Sequence, residues 1–325
     1  MILSKDQILA ALPDALQRLS LDLPGWEQTE SGKVRESWRK ASSDLRLLVT
    51  TDRISAFDRV LGVIPFKGQV LNQLSAWWFE RTRTIVPNHF ITAPDPNVTL
   101  ARQARPLSVE VVVRGYITGV TSTSLWKLYE AGERAPYGVP LPEGLRKNDP
   151  LPQPILTPTT KALDGAHDEP LSREDILKRG LVAPDLWAQI EAAALALFAA
   201  GQEIAKQAGL ILVDTKYEFG LIEGKLALID EIHTPDSSRY WVAESLKVGS
   251  EPEHYDKEYL RRWYAAQGYR GEGTPPPLSP DLIAEVTARY VGAYERLTGL
   301  PFNPGETPIS GRIARNLRTY LEVHP

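Results

Sequence analysis

The sequence predicts an α+β fold in which a β-rich N-terminal lobe lies over a larger α/β lobe, with a cleft between them. Two observations favour it: short β-type runs dominate residues 26–113, whereas helical patterns frame a β-hairpin in the rest of the chain. With 325 residues, 42% of them hydrophobic, the chain can form one large domain or two ordinary ones. We expect the N-terminal lobe to span residues 1–112 and the larger lobe residues 113–325.

Local patterns place the individual elements. Helices are predicted where apolar residues recur at helical spacing or capping residues flank a segment: residues 5–20, 68–82, 172–180, 186–208 and 281–297. Strands are predicted from β-branched and aliphatic runs over residues 45–51, 60–64 and 109–113, and a β-hairpin over 209–240. A proline-rich stretch predicts a long loop over residues 134–170, and a second one predicts a linker over 271–280.

Composition argues against several classes of function. The net charge of −4 disfavours general nucleic-acid binding, since no excess of Lys and Arg exists to neutralise phosphates over a wide surface. The absence of cysteine removes disulfides, thiolate nucleophiles and Cys-ligated zinc, and the five histidines show no metal-ligand spacing. The N-terminus resembles neither a signal peptide nor a membrane span, so we expect no membrane partner and a cytoplasmic location.

The predicted hairpin carries the most informative residues. Asp214, Lys216 and Glu218 alternate along its first strand and should therefore project from one face. The second apolar run ends in Asp230 and Glu231. Carboxylates and a lysine held on rigid strands at a cleft suit cation–phosphate chemistry. The alternative is a solvated strand face whose charges merely alternate with core residues.

Three basic sites accompany the hairpin. Lys33 and Arg35 could share one face of a strand–loop, although a lone Gly-Lys pair usually marks only a turn. Arg114 leaves an apolar strand into a glycine-bearing loop, which suits bidentate binding of phosphate or carboxylate. A salt-bridged structural arginine is an equally good interpretation there. Ser238 and Arg239, after the second acidic strand, offer a hydroxyl and a guanidinium to an anion.

Together these residues predict a cleft for one divalent cation and several anionic groups. Mg²⁺ usually reaches a protein through one or two carboxylates plus phosphates, and Glu218 and Asp230 fit that role. Lys33 and Lys161 could hold the phosphates. Because no GxxxxGK[ST] motif occurs in the sequence, the prediction is nucleotide-dependent phosphoryl transfer without a P-loop.

Several longer segments resemble the phosphoribosylaminoimidazole-succinocarboxamide synthase (SAICAR synthetase) family of de novo purine synthesis. Two of them are ILVDTKYEFG at 211–220 and LIDEIHTPDSSRYW at 228–241. The others are residues 32–38, 51–58, 64–79, 109–119 and 151–162. They occur in order between about residues 30 and 265, and the C-terminal part beyond about 270 carries little of the resemblance.

The resemblance implies a role for individual residues in nucleotide and metal binding. Lys33, with Arg35 in the same glycine-bearing loop, and Lys161 match ATP-binding residues. Glu218 and Asp230 match the magnesium ligands.

The resemblance also implies a site for carboxyaminoimidazole ribotide. Asp214 and Lys216 are the catalytic residues that it implies, with Arg114 and Arg239 beside the ribotide. Further residues of the same motifs are predicted to bind substrate: Asp52, Arg53, Ser55, Ser124 and Ser238. The stretch after Arg114 is longer than in some relatives, so both Ser122 and Ser124 stay candidates for contact with the substrate phosphate.

The fold implied by the resemblance is related to ATP-grasp and protein-kinase architectures, with an ATP-covering N-terminal lobe and the active site in the interlobe cleft. The implied activity is an ATP-dependent, Mg²⁺-requiring ligation of the ribotide carboxylate to the amine of L-aspartate, through an acyl phosphate. Two alternatives stand beside it: a small-molecule kinase of the same architecture, and a nucleotide or ribotide sensor without turnover. The implied partners are small molecules, and the oligomeric state is left open.

A shared cation imposes a geometry on the hairpin. If Glu218 and Asp230 bind one ion, their side chains must lie on the same face, and side chains alternate with period two. A two-residue turn at Glu223-Gly224 would pair Glu218 with Ile229 and send Asp230 to the other face. We therefore predict an odd-numbered connection, with Lys216 opposite Asp230.

Overall fold

The computed structural model describes residues 3–41, 43–120, 124–161 and 169–324. The strands of this part of the chain are β1 Trp26–Ser31, β2 Arg35–Lys40, β3 Leu45–Thr50, β4 Arg53–Ala56, β5 Arg59–Val63, β6 Phe90–Asp95, β7 Val98–Arg102, β8 Arg105–Tyr116, β9 Pro150–Leu156, β10 Thr159–Thr160, β11 Leu210–Ile222, β12 Lys225–Ile229 and β13 Ser238–Val242. The helices are α1 Lys5–Ala10, α2 Lys67–Thr82, α3 Leu125–Glu130, α4 Arg173–Lys178, α5 Pro184–Gln207, α6 Glu258–Ala266, α7 Pro280–Thr298 and α8 Ile309–Val323. Among the described residues, the helices are all too short or too polar to cross a bilayer.

Two antiparallel sheets form the framework of the described chain. The first has the order β1-β2-β3-β7-β6. The second has the order β10-β8-β11-β12, with β13 paired to β11 and β9 paired to β8. The long helix α5 packs against β11, and α2 packs between the N-terminal strands and α7. This two-lobed α+β arrangement confirms the predicted fold class.

The predicted helices differ in how well they match the structure. Helices α2, α4, α5 and α7 lie where the patterns predicted them. The helix predicted over residues 5–20 begins at Lys5 as expected but is wrong in length, because α1 ends at Ala10 and Pro13 lies in a short 3₁₀ turn. Proline removes a backbone donor and limits continuation of an α-helix.

The proline-rich stretch predicted as a loop contains two strands, so that prediction is also wrong. β9 pairs with β8 through Arg114 and Val113, and β10 pairs with β8 through Val109 and Glu110. Prolines are tolerated in β9 because it pairs with β8 alone among the described strands, so its outer edge requires no N–H donors.

The C-terminal helix α8 packs on the N-terminal sheet rather than on the larger lobe. Ile309, Ile313 and Leu317 share a buried cluster with Trp38 and Leu47 of that sheet. The division at residue 112 stays a prediction, and β8 runs continuously across that position.

Candidate active site

A cavity of about 650 Å³ lies between the two sheets, and we call it the inter-sheet cavity. The turn between β1 and β2, strands β3 and β8, and the end of β12 form its walls. It brings together the predicted ATP-binding and metal-binding side chains: Lys33, Arg35, Lys161, Glu218 and Asp230. The pairing of β10 with β8 and of β8 with β11 brings Lys161 and Glu218 together. The ion pair of Arg35 with Asp230 joins the loop of Lys33 to them.

Strand β11 supplies the charged centre of this cavity. Glu218 Oε1 contacts Lys216 Nζ at 2.5 Å, and Glu218 Oε2 accepts a hydrogen bond from Lys161. Burial alone would raise the pKa of Glu218, but the two ammonium groups outweigh burial and hold the pKa well below its usual value. Glu218 is therefore ionised throughout the neutral range.

Lys216 lies among three acidic side chains, two on strands and one just after the end of β12. Its Nζ atom is 3.1 Å from Glu110 Oε1 and 3.9 Å from Asp230 Oδ2, in addition to its contact with Glu218. Burial would lower the pKa of Lys216, but Glu218 and Glu110 raise it above its usual value. Since Glu110 and Glu218 are directly opposite in the register of β8 and β11, the ammonium offsets repulsion between them.

The prediction of an odd-numbered hairpin connection is wrong. Ile222 pairs with Lys225 and Glu218 with Ile229, so Glu223 and Gly224 form a two-residue turn with φ of 51° and 77°. Positive φ at both central residues defines the type I′ turn that matches strand twist. The prediction failed because it assumed that Asp230 continues the strand.

Asp230 reaches the cavity through its own backbone conformation. Strand β12 ends at Ile229, and Asp230 has a left-handed φ of 68°, which takes its side chain out of the strand alternation. Its carboxylate pairs with Arg35 and lies beside Lys216. Glu218 and Asp230 thus contact the same ammonium although the predicted register is absent.

A second cavity, of about 340 Å³, lies beside the first, and we call it the basic cavity. Among the described residues, five basic and two acidic side chains line it: Lys33, Arg114, Arg239, Lys257, Arg261, Asp58 and Glu258. Ser55 and Ser124 also line it, whereas Ser122 lies outside the described residues. Lys33 lines both cavities and pairs with Asp58 at 2.6 Å.

Asp214 anchors two arginines of the basic cavity. Arg239 donates to it through Nε at 2.9 Å and contacts it through Nη2 at 2.6 Å, and Arg114 Nη1 lies 3.1 Å away. Burial alone would raise the pKa of Asp214, but the two guanidinium groups hold it below its usual value. The arrangement combines both interpretations of Arg114, since it is salt-bridged and also lines the cavity.

Gly119 permits a close approach at one end of the basic cavity. Its φ is +111°, and a Cβ atom there would lie 2.3 Å from the Cβ atom of Ser124 and 3.3 Å from Arg239 Nη1. Only glycine leaves room for this hydroxyl and this guanidinium to lie together against the backbone.

Three residues predicted to bind substrate lie elsewhere. Asp52 is fully buried and accepts from the backbone N–H groups of Leu16 at 2.7 Å and Gly68 at 2.8 Å. Arg53 holds the loop before β2, donating to the carbonyls of Lys33 and Gly32. Ser238 is buried and donates to Thr215 on the face of the sheet opposite Asp214.

The sequence reasoning missed several charged residues of the site. Glu110 has the same parity along β8 as Arg114, so strand alternation could have identified it. Lys257, Glu258 and Arg261 line the basic cavity from the start of α6, a helix that was not predicted. The spacing of Lys257 and Arg261, four residues apart, is compatible with one face of a helix, but it is too short a pattern to predict a site.

The carboxylates of the inter-sheet cavity form a donor set suited to a hard cation. Within the described ranges, no group of three or more His, Asp or Glu side chains is arranged to hold a metal. Glu218 and Asp230 offer oxygen ligands at the wall that also carries Lys161. This matches Mg²⁺, which binds through one or two carboxylates and completes its shell with phosphates and water.

Comparisons with known proteins agree on one family. A family model described as SAICAR synthetase matches residues 28–276. The phosphoribosylaminoimidazole-succinocarboxamide synthase of Legionella pneumophila (strain Lens) is 48% identical over 301 residues, covering 89% of this chain and 94% of that protein. The chloroplastic synthase of Arabidopsis thaliana is 46% identical over 326 residues, covering 96% and 78%. Among solved structures, SAICAR synthase from Saccharomyces cerevisiae complexed with SAICAR has a TM-score of 0.75 at 33% identity, covering 88% and 99%.

Proposed function

The chain belongs to the SAICAR synthetase family, and from that premise we propose that it joins the carboxylate of carboxyaminoimidazole ribotide to the amine of L-aspartate. ATP is converted to ADP and phosphate in the same reaction. The family match and the synthase names of its relatives support this ATP-dependent ligation in de novo purine synthesis.

The observation that carries the proposal is the junction of two cavities along one strand. Asp214 supports the arginines of the basic cavity, and Glu218 lines the inter-sheet cavity. Glu218 is four residue steps along the strand from Asp214, which is ~13 Å at the rise of an antiparallel strand. A nucleotide in one cavity and an anionic ribotide in the other would meet beside Lys216 and Lys33.

The chemistry follows from the poor reactivity of a carboxylate toward an amine. Transfer of the γ-phosphoryl group to a carboxylate oxygen forms an acyl phosphate and releases ADP. The amine of L-aspartate then attacks the carbonyl carbon, and phosphate leaves as the amide forms. No side-chain nucleophile is needed, so catalysis rests on positioning and on neutralisation of charge by fixed cations.

The residues divide between these tasks. Lys33 and Lys161 hold the ATP phosphates. Arg35 lines the same cavity and forms an ion pair with Asp230. Lys216 neutralises charge where the two substrates meet, because its ammonium is fixed by Glu110 and Glu218.

The remaining predicted residues act on the ribotide. Arg114 and Arg239, fixed by Asp214, bind its anionic groups, and Ser124 and Ser55 contribute hydroxyls. Asp52, Arg53 and Ser238 stabilise the elements that carry the site. Asp52 accepts from the backbone of Leu16 and Gly68, and Arg53 donates to the loop of Lys33. Ser238 donates to Thr215 and so links β13 to β11.

Glu218 and Asp230 are the residues that would hold Mg²⁺. When bound, the ion supplies neutralisation of the ATP phosphates. Glu218 stays ionised because of its lysine partners, and Asp230 is oriented by Arg35. We retain the cytoplasm as the proposed location, although the relative from Arabidopsis thaliana is described as chloroplastic.

An omission assay tests the proposal. Purified protein is given ATP, Mg²⁺, carboxyaminoimidazole ribotide and L-aspartate, and each is left out in turn while ADP and amide product are measured. We expect ADP release to require ribotide and Mg²⁺, and amide to require L-aspartate as well. Equal product formation with glycine would contradict the substrate assignment, and phosphorylation of a hydroxyl would favour the kinase alternative.

A further inference from the structure

One wall of the basic cavity carries charged residues that the roles above leave unused. Lys257, Glu258 and Arg261 come from the residue before α6 and from its first turn. Together they contribute two cations and one carboxylate to the cavity.

This wall is rigidly attached to the strand that carries Arg239. Asp256 Oδ2 accepts from the backbone N–H of Tyr240 at 2.7 Å, and its Oδ1 accepts from that of Glu258 at 2.6 Å. The backbone N–H of Tyr255 donates to the carbonyl of Tyr240 at 2.9 Å. The charged side chains of the wall are therefore held at a fixed position relative to Arg239, as a preorganised binding surface requires.

The side chain of Lys257 is only 12% exposed, and its charge is compensated by one shared carboxylate. Its Nζ atom is 3.5 Å from Asp236 Oδ2, whereas Lys67 lies closer to the same carboxylate oxygen, at 2.9 Å. Asp236 also accepts a hydrogen bond from Tyr290 at 2.6 Å. Burial, together with the charges of Arg261 and Lys67, lowers the pKa of Lys257 although Asp236 opposes this. An anion bound beside Lys257 would stabilise the charged form of this ammonium group.

Arg261 and Glu258 complete the wall. Arg261 Nη1 lies 3.3 Å from Glu258 Oε2, and its side chain is about one-third exposed. A guanidinium has five N–H donors, more than one carboxylate contact uses. Burial would raise the pKa of Glu258, but Arg239 and Arg261 hold it below its usual value, so its carboxylate is ionised.

The cations of the cavity can be divided between two anionic substrates. Arg114 and Arg239 share Asp214 and lie at the end with Gly119 and Ser124, which suits the ribotide. The other wall remains for the amine substrate. L-Aspartate carries two carboxylates and one ammonium group, which match the wall in sign and in number.

We infer that Lys257 and Arg261 bind the two carboxylates of the amine substrate, that Glu258 receives its ammonium group, and that this wall thereby selects a dicarboxylic amino acid. The inference rests on the proposed function, because it assumes an amine substrate in the basic cavity. It adds to that function the residues that set the specificity for the amine.

Kinetics of Arg261→Gln and Lys257→Gln test the inference. We expect each to raise the KM for L-aspartate by about tenfold or more, the loss expected for one charge-assisted hydrogen bond. The KM values for ATP and ribotide should stay near those of the wild type, and the preference for L-aspartate over L-asparagine should shrink. Arg261→Lys, which keeps the charge but loses the fork, should fall between wild type and Arg261→Gln.

Arg262→Gln is the matched control. Arg262 follows Arg261 in the same helix, is 41% exposed and contacts Glu251 at 3.5 Å rather than lining the basic cavity. It should behave as wild type. An increase in the KM for ribotide with that for L-aspartate unchanged would overturn the inference, as would an equal effect of Arg262→Gln.

A binding measurement separates this inference from the proposed function. Succinate, a dicarboxylate without an amine, should raise the thermal unfolding temperature of the wild type more than that of Arg261→Gln. If the wild type forms no amide, the proposed function fails while succinate binding still tests the wall. If the wild type is active but succinate protects Arg261→Gln equally, only the inference fails.

Discussion

Arg53→Lys should weaken the use of ATP although Arg53 lies outside both cavities. Arg53 donates through Nε to the carbonyl of Lys33 at 2.9 Å and through Nη2 to that of Gly32 at 2.7 Å. Its Nη1 contacts Glu36 Oε1 at 2.7 Å. A lysine can keep the contact with Glu36, but a single ammonium cannot replace the fork that holds both loop carbonyls.

Arg53 also donates to the carbonyl of Gln17, but the size of the effect on the loop of Lys33 follows from the two lost hydrogen bonds to Lys33 and Gly32. Each contributes about 1 kcal/mol net, so the ordered loop loses about 2 kcal/mol of stabilisation. In the variant, ATP binding must supply the free energy that orders the loop. Since 1.4 kcal/mol corresponds to a tenfold change, kcat/KM for ATP should fall about 30-fold. The effect should appear with ATP because the loop carries Lys33, which lines the inter-sheet cavity.

Initial rates with varied ATP, at saturating ribotide and L-aspartate, measure this effect. Arg59→Lys is a suitable control, because Arg59 also donates to a backbone carbonyl, that of Gly273 at 2.9 Å, but does not hold the loop of Lys33. Thermal unfolding of both variants establishes that they are folded. Unchanged ATP kinetics with a raised KM for ribotide would refute the reasoning and place Arg53 at the ribotide instead.

Two further predictions concern residues around the cavities. Lys161→Ala and Lys33→Ala should weaken ATP binding without unfolding the protein, because the side chains are 37% and 54% exposed; a variant unfolded at ordinary temperature would show its lysine to be structural. Burial raises the pKa of Asp52 to about 6 from its ordinary 3.8, so its stabilising contribution is present below pH 3.8 and is lost as the pH rises through 6. Asparagine does not titrate, so the stability of the wild type relative to Asp52→Asn should decrease by about 3 kcal/mol over that interval. Denaturant unfolding at several pH values measures this, and a difference that is constant or grows with pH would contradict it.

Local patterns predicted the elements whose ends are chemically marked. Helix α4 begins with the expected capping box between Ser172 and Asp175. Helix α7 has Ser279 as its N-cap, Pro280 at its first position and Gly299, with φ of 70°, at its end. These features are encoded within a few residues, so no tertiary contact is needed to recognise them.

Strand alternation predicted part of the site and then failed at the end of the strand. Lys216 and Glu218 touch, as residues on one face should. Asp230 could not be placed in this way, because a single left-handed residue changes the direction of its side chain. Glu223 and Gly224 adopt the two-residue turn that the local sequence allows, so a requirement from the metal site was wrongly imposed on the register.

Motif membership identified the neighbourhood of a residue but not the direction of its side chain. Asp52, Arg53 and Ser55 are consecutive or nearly so, yet Ser55 lines the basic cavity while Asp52 is buried against Leu16. Helix α8 was missed, and its apolar face is completed by a sheet more than two hundred residues earlier in the chain. Ile309, Ile313 and Leu317 do recur at helical spacing, so the helix itself was recognisable, whereas the sheet that it packs on leaves no local pattern.

Transfer of ¹⁸O tests the central claim most directly, because the proposed route makes the ribotide carboxylate the acceptor of the γ-phosphoryl group. Ribotide labelled with ¹⁸O in both carboxylate oxygens is converted with ATP and L-aspartate, and the phosphate and the amide are analysed by mass spectrometry. We predict one ¹⁸O atom in each phosphate released and one in the carbonyl of the new amide. Amide formation with phosphate that contains no ¹⁸O would contradict the acyl phosphate and, with it, the proposed meeting of the two cavities beside Lys216.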